Sequence, residues 1–288
     1  MKSLRRFVAK ASSAEEASVE SEVIIYEKKD RVATITLNRP ERLNAINGVM
    51  SRELSRVWAD VSEDPSVSVA IVTAAGEKSF CTGFDMMDAA SSETADVGDE
   101  ESRGSIDSIK FTAIQNDCWK PVITAVNGMV TGGGLHFVAD SDLVVAAEHA
   151  TFFDNHVRVG LASALEPVSL IRRLGMEAVL RMSFLGGLER MSAERALQLG
   201  LVGDVVPAQQ LMPRALELAE RISQHSPAAL MASKRAIWES LNRGLDDSLA
   251  HAWDIITEHS SHPDSREGPL AFAERRKPEW QQFRKDGS

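Results

Sequence analysis

Residues 125–147 read AVNGMVTGGGLHFVADSDLVVAA. The run that enters this stretch, Val122 to Val126 after Pro121, is long enough for a buried strand and too short for an interior helix. Asn127-Gly128 then turns the chain. Gly132-Gly133-Gly134 follows and opens a segment, Leu135 to Asp140, whose apolar spacing suits a helix. Glycines at a helix start leave backbone N–H groups without intrahelical partners, at the positive end of the helix dipole. An oxygen gaining negative charge there is stabilised. The same glycines also suit close packing of a helix on a strand, and this motif by itself leaves both readings open.

A second stretch has the same form. Val67 to Thr73 reads as a buried strand, Gly76 as a turn, and Ser79 to Asp85 (SFCTGFD) as strand, glycine turn and helix start. Two such turns can aim two donors, the N–H groups of Phe84 and Gly133, at one carbonyl oxygen. That pair is an oxyanion hole for a thioester or ketone passing through an enolate or a tetrahedral intermediate.

SFCTGFD and AVNGMVTGGG, preceded by VATITLNRPERLNAIN (32–47), resemble the crotonase, or enoyl-CoA hydratase/isomerase, superfamily. The resemblance runs from about Val23 to the end, where EGPLAFAERRKPEW (267–280) is similar to the family's last helix. It implies an α/β fold with a crotonase-like ββα spiral core and a C-terminal helical trimerisation region. The expected division is a mobile N-terminal arm over 1–20, a catalytic core over 21–207 and a helical region over 208–288. It further implies an acyl-coenzyme A substrate, coenzyme A entering only as part of that substrate with no permanently bound cofactor, and a homotrimer or hexamer. In the family the backbone around Leu43-Asn44-Ala45 cradles the adenine end of the coenzyme, a role carried here to Leu43 and Ala45. Thr82, Asp85, Met86, Met129 and Gly132, which flank the two turns, complete the expected binding set.

Proton transfer needs side chains near the acyl α and β carbons. The family's hydratases use two glutamates; the matching positions here are His136, after the glycine triplet, and His156, in ATFFDNH. Both carboxylates are replaced by imidazoles. With an unperturbed pKa of about 6.5, an imidazole can accept or donate a proton near neutrality. Asp154, two residues before His156, or Glu166, ten after it, is the expected carboxylate partner. Glu166 also suits the first turn of a helix, where acids are favoured. This set is compatible with an enoyl-CoA hydratase or isomerase. The alternative is a carbon–carbon (β-diketone or ring-opening) or thioester hydrolase in which a histidine and an acid activate water. A third reading is a silent binding paralogue, against which the retained glycines argue.

Composition bounds the rest. The chain has 288 residues, 43% of them hydrophobic, enough for one large core. Its formal charge is −10 and no basic stripe is visible, which disfavours nucleic acid. No apolar run approaches a membrane span, so a soluble, cytoplasmic protein is expected. Coenzyme A would call for a local basic patch, for which Arg39, Arg42, Lys78, Arg275, Arg276 and Lys277 are candidates. Cys81 and Cys118 fit neither a disulfide framework nor a metal site, and Cys81 reads as a small core residue. Residues 106–118 read as a helix, and the acidic run 89–104 as a solvated loop or a lid over the acyl group.

Overall fold

A computed structural model describes residues 19–21, 23–87 and 106–281. The expected arm up to residue 18 and the expected lid at 89–104 lie outside these residues. The strands are β1 (Val19–Ser21), β2 (Ile24–Lys29), β3 (Val32–Leu37), β4 (Val69–Ala74), β5 (Ser79–Cys81), β6 (Val122–Val126), β7 (Met129–Thr131), β8 (Leu143–Ala147), β9 (Thr151–Phe153), β10 (Met191–Ser192) and β11 (Asp204–Val206). They form a seven-stranded sheet in the order β1-β2-β3-β4-β6-β8-β11 and a four-stranded sheet in the order β10-β9-β7-β5.

The first sheet opens as an antiparallel hairpin, β2 to β3, closed by Asp30 and Arg31 at φ +49° and +68°, the two left-handed residues that a tight hairpin turn requires. From β3 onward the pairing is parallel. β4, β6 and β8 each lead through a turn into a short strand of the second sheet, and those short strands pair in parallel in the same succession. The chain therefore winds as stacked ββ turns, although its sequence carries no repeat.

Both faces of the central strands are buried, which is why they read as continuous apolar runs. Alternation sorts the side chains. Ala70 and Val72 join the main core, while Val69, Ile71, Ile123 and Val145 face the opposite way. Helix α1 (Gly48–Glu63), capped by the Asn47 side chain, packs Leu54, Val57, Trp58 and Val61 into the main core. Beyond α2 (Leu135–Ala139) and α3 (Leu165–Leu170), α4 (Met176–Leu185) and α5 (Ala193–Gln198) complete this side. The other face is covered by α6 (Leu211–Ser223), whose Leu211, Ala215 and Ala219 fall one turn apart on the same side. Helices α7 (Pro227–Ser240), α8 (Leu245–His259) and α9 (Asp264–Glu274) follow. Among the described residues no helix is long and apolar enough to cross a membrane.

The helix expected over 106–118 is not formed. In its place are two single 3₁₀ turns, Ile106–Ser108 and Ile114–Asn116, and a left-handed Asp117. Side-chain amides take the backbone groups that a helix would pair internally. Gln115 Oε1 accepts the Phe111 and Thr112 N–H groups, and Asn116 Nδ2 donates to the Lys110 and Thr112 carbonyls. Trp58 Nε1 donates to the Phe111 carbonyl at 2.8 Å and ties this segment to α1.

The close-packing reading of the glycine triplet holds for its third member. A Cβ on Gly134 would lie 2.4 Å from the Cys81 carbonyl oxygen. Gly134→Ala must push β5 away from the start of α2, so it should destabilise the fold by about 3 kcal/mol or more. Urea unfolding measures this, and a loss below about 1 kcal/mol would show that the strand can yield.

Candidate active site

The first glycine turn is held by main-chain bonds. Ile46 N–H donates to the Gly83 carbonyl at 2.7 Å, and Asp85 N–H donates to the Ile46 carbonyl at 2.9 Å. Successive amides of an extended chain point to opposite sides, so Phe84, paired between these two bonds, turns its own N–H away from Ile46. Gly83 has φ +81°, and a Cβ there would lie 2.6 Å from the Gly133 nitrogen. The two turns thus touch backbone to backbone. Gly133 sits in a short 3₁₀ turn, Gly132–Gly134, where the first N–H groups have no intrahelical acceptor. Among the turn and loop hydrogen bonds of the described residues, neither the Phe84 nor the Gly133 N–H is a donor.

The segment carrying Leu43 and Ala45 is fastened to this turn by Asn44, which is fully buried at φ +56°. Asn44 Oδ1 accepts from the Arg39 N–H, and Nδ2 donates to the Ala75 and Ser79 carbonyls. Ser79 and Thr82 donate their hydroxyls to the Leu43 carbonyl. Leu43, also left-handed, stays partly exposed above the turn. Of the expected binding residues, Asp85 is buried and its carboxylate pairs with Arg39 at 3.0 Å. Asp85 and the candidate basic residue Arg39 therefore neutralise each other, and Arg276 is likewise held by Glu267 and Glu274. Met86 is half exposed, whereas the Met129 sulfur lies 3.6 Å from an Arg190 nitrogen, on the β7 strand before the glycine triplet. Burial pushes the Cys81 thiol up to about 12, so it is a core residue and not a nucleophile.

The titratable groups converge beside these turns. Asp154 follows β9 and is buried; its Oδ1 accepts from the His156 backbone N–H at 2.9 Å and from Nδ1 of the same residue at 2.7 Å. Ser163 donates its hydroxyl to Oδ2. His156 turns its ring toward the glycine triplet, with Cε1 3.6 Å from where a Cβ on Gly132 would stand. Glu166 lies in the first turn of α3 but is buried, with Oε1 3.5 Å from Nε2 of His136. His136, on α2, is buried too, and its Nε2 has no hydrogen-bond partner. His136, His156, Asp154 and Glu166, named from the sequence as candidates, thus meet in one cluster. Between the two expected partners of His156, Asp154 makes the hydrogen bond and Glu166 stands between the imidazoles. Ser163 and Gln115, whose Nε2 lies 3.4 Å from His136 Nδ1, were not legible in the sequence.

Burial opposes ionisation of Asp154, but the His156 and Ser163 hydrogen bonds outweigh it and hold the carboxyl below its ordinary pKa. The Asp154 hydrogen bond raises the His156 imidazole; burial opposes this, and the charges of Asp154 and Glu166 add to the rise. Ligand atoms of Asp154, His156 and Glu166 lie within 4.8 Å of one another, close enough for a metal ion. Asp154 already accepts from an imidazole and a hydroxyl, however, so the group fits proton handling better than cation binding.

The sequence profile of the Enoyl-CoA hydratase/isomerase family matches residues 27–284. The chain belongs to that family. It is 33% identical over 266 residues to (E)-benzylidenesuccinyl-CoA hydratase of Thauera aromatica, covering 88% of this chain and 97% of that one. It is 34% identical to carnitinyl-CoA dehydratase of Escherichia coli K12 over 266 residues, or 90% and 98% of the two chains. The fold is similar to a crystal structure of an enoyl-CoA hydratase/isomerase from Mycobacterium paratuberculosis, with a TM-score of 0.82 and 35% identity, covering 92% of this chain and all of that one. The ββα spiral expected from the sequence is thus the fold of this family.

The Asp154–His156 pair makes stability depend on pH. His156, raised in the folded state, contributes fully below the unfolded imidazole value of about 6.5, and the contribution fades as pH climbs through the folded pKa. Asp154, depressed, contributes above the unfolded value of about 3.9 and fades as pH falls through the folded pKa. Asp154→Asn should therefore cost most between about pH 4 and 6.5 and less toward pH 9. Melting curves across that range test this; a Tm difference independent of pH would mean the pair is not charged.

Proposed function

We propose that this protein is a lyase that adds water to the conjugated double bond of an enoyl-CoA thioester, or removes it from the β-hydroxyacyl thioester. The observation that carries the reading is the juxtaposition of two bare N–H groups with the cluster of Asp154, Glu166 and His136, which are buried, and half-buried His156. The thioester oxygen lies between the Phe84 and Gly133 N–H groups, whose donation strengthens as that oxygen becomes an enolate. Asp154 keeps the His156 proton on Nδ1, leaving the Nε2 lone pair for the substrate. Nε2 takes one proton from water while the water oxygen bonds to the β carbon and the π electrons move onto the thioester. The imidazolium then returns that proton to the α carbon. Glu166 accepts a hydrogen bond from the second water hydrogen, which stays on the oxygen as the β-hydroxyl of the product, and so orients the attack. No step calls for a resident cofactor.

The same Asp154–His156 pair favours a second reading, in which the activated water attacks the carbonyl and the product is a hydrolysed thioester or a cleaved β-diketone. Crotonyl-CoA separates the two. Hydration removes the enone absorbance without releasing free thiol, whereas hydrolysis releases thiol in step with turnover. Hydration is the expected result, with kcat reduced by about 10² to 10⁴ in His156→Ala and in Glu166→Gln. Stoichiometric thiol release would move the assignment to the hydrolase, and unchanged rates in both variants would remove the cluster from the chemistry.

Self-association into a homotrimer, or a hexamer built from two, belongs to the same proposal. It is supported by α8, which presents Leu245, Leu249, Trp253 and Ile256 along one face, each more than half exposed. In light scattering Trp253→Glu should lower the mass from a multiple of the chain toward that of one chain. A monomeric wild type would refute it.

A further inference from the structure

We infer that Gln115 fixes the tautomer of His136, so that the two imidazoles of the site act as opposites, His156 as acceptor and His136 as a permanent donor to Glu166. This rests on the proposed reading for its catalytic meaning, though not for its geometry. The argument starts from groups with no choice. The backbone N–H groups of Phe111 and Thr112 can only donate, and both meet the same oxygen of Gln115, at 2.8 and 3.2 Å. The oxygen end of that amide is thereby identified, and the end facing His136 must be the NH₂ group. An amide NH₂ can only donate, so Nδ1 of His136, 3.4 Å away, must accept and carries no proton.

A neutral imidazole without a proton on Nδ1 carries it on Nε2. That nitrogen is buried, has no hydrogen-bond partner and lies 3.5 Å from Glu166 Oε1, an atom that can accept it. Donor on one side and acceptor on the other select the same tautomer. His156 is the mirror case: Asp154 Oδ1 at Nδ1 demands an N–H there and leaves Nε2 bare. Other groups facing His136 are the Phe111 ring, edge-on at 6.3 Å, and the buried Asp140 at the end of α2, whose carboxylate accepts the Thr112 hydroxyl and feels the charge of Arg173. Gln115 and His136 are then positioning residues. They hold the Glu166 carboxylate by one oxygen, so that the other meets the substrate water, as Asp154 holds His156. The turn that replaces the expected 106–118 helix is what brings Gln115 into place.

The test is nitrogen NMR on histidine-labelled protein at pH 8, with His136 signals identified by their loss in His136→Asn. In the wild type, Nδ1 of His136 should show the shift of an unprotonated nitrogen and Nε2 that of a protonated one, and His156 the reverse. Gln115→Glu keeps an oxygen for the Phe111 and Thr112 N–H groups but offers His136 only an acceptor. Its His136 proton should move to Nδ1 or the ring should become charged, with kcat for crotonyl-CoA falling about 10- to 100-fold and KM changing little. Wild-type His136 protonated on Nδ1 would overturn the inference, as would a Gln115→Glu variant with unchanged His136 shifts. The spectra need no substrate, so a failure to turn over acyl-CoA would count against the proposed function and leave the tautomer assignment standing.

Discussion

The contact on which the site depends is between two stretches of backbone. Gly83 lies so close to the Gly132–Gly133 turn that a single methyl on Gly83 would meet the Gly133 nitrogen at 2.6 Å. No side chain can mediate such an approach. Its position is held from behind, by the bonds of Ile46 to Gly83 and Asp85 and by buried Asn44, which donates to the Ala75 and Ser79 carbonyls on either side of the preceding Gly76 turn. The Ile46 bonds join the chain around residues 46 and 83 through main-chain groups that every residue carries, and the close approach of Gly83 to Gly133 brings in the third part, around residue 132.

Side chains supply what the backbone cannot, namely directed protons. Asp154, His156, Glu166 and His136 share a partly or fully buried pocket, where an unpaired polar atom is costly and a paired one is rigid. Both oxygens of Asp154 accept, from His156 and Ser163, and Gln115 accepts two backbone donors at its oxygen while its NH₂ group meets one imidazole. His136 Nε2 faces Glu166 Oε1 at 3.5 Å, and the free side of His156 faces the glycine triplet.

At the other end of the sheet, buried charges tie the helices to the strands. Asp142 accepts the Val122 N–H and the Trp238 indole N–H and pairs with Lys234 at 2.8 Å. Lys234, nearly buried, also donates to the Lys120 carbonyl, and the Lys120 ammonium, pushed down to about 8 by burial, donates to the Asp64 carbonyl. α7 is thereby anchored at the start of β6, and α1 is drawn to the same point. Removing one partner from such a network leaves an unpaired buried charge, which is why each lysine is matched to a carbonyl or a carboxylate.

Much of this was legible in the order of residues. The apolar run Val122–Val126 stands at its expected bounds, and the helix expected from Leu135 forms over Leu135–Ala139, because a short buried strand and a helix start each leave a signature in local sequence. The family's spacing of SFCTGFD and NGMVTGGG and the two histidines were local as well, and the family assignment followed from them. The helix expected over 106–118 was wrong because Gln115 and Asn116 compete for its backbone groups, which periodicity does not record. The choice of Asp154 as the partner of His156 and the approach of Gly83 to Gly133 were decided only in three dimensions. So was the meeting of Gln115, Glu166 and His136. Apart from the local Asp154–His156 bond, these are hydrogen bonds and contacts between segments that the chain order leaves far apart, and their geometry exists only once the stacked turns have closed on one another.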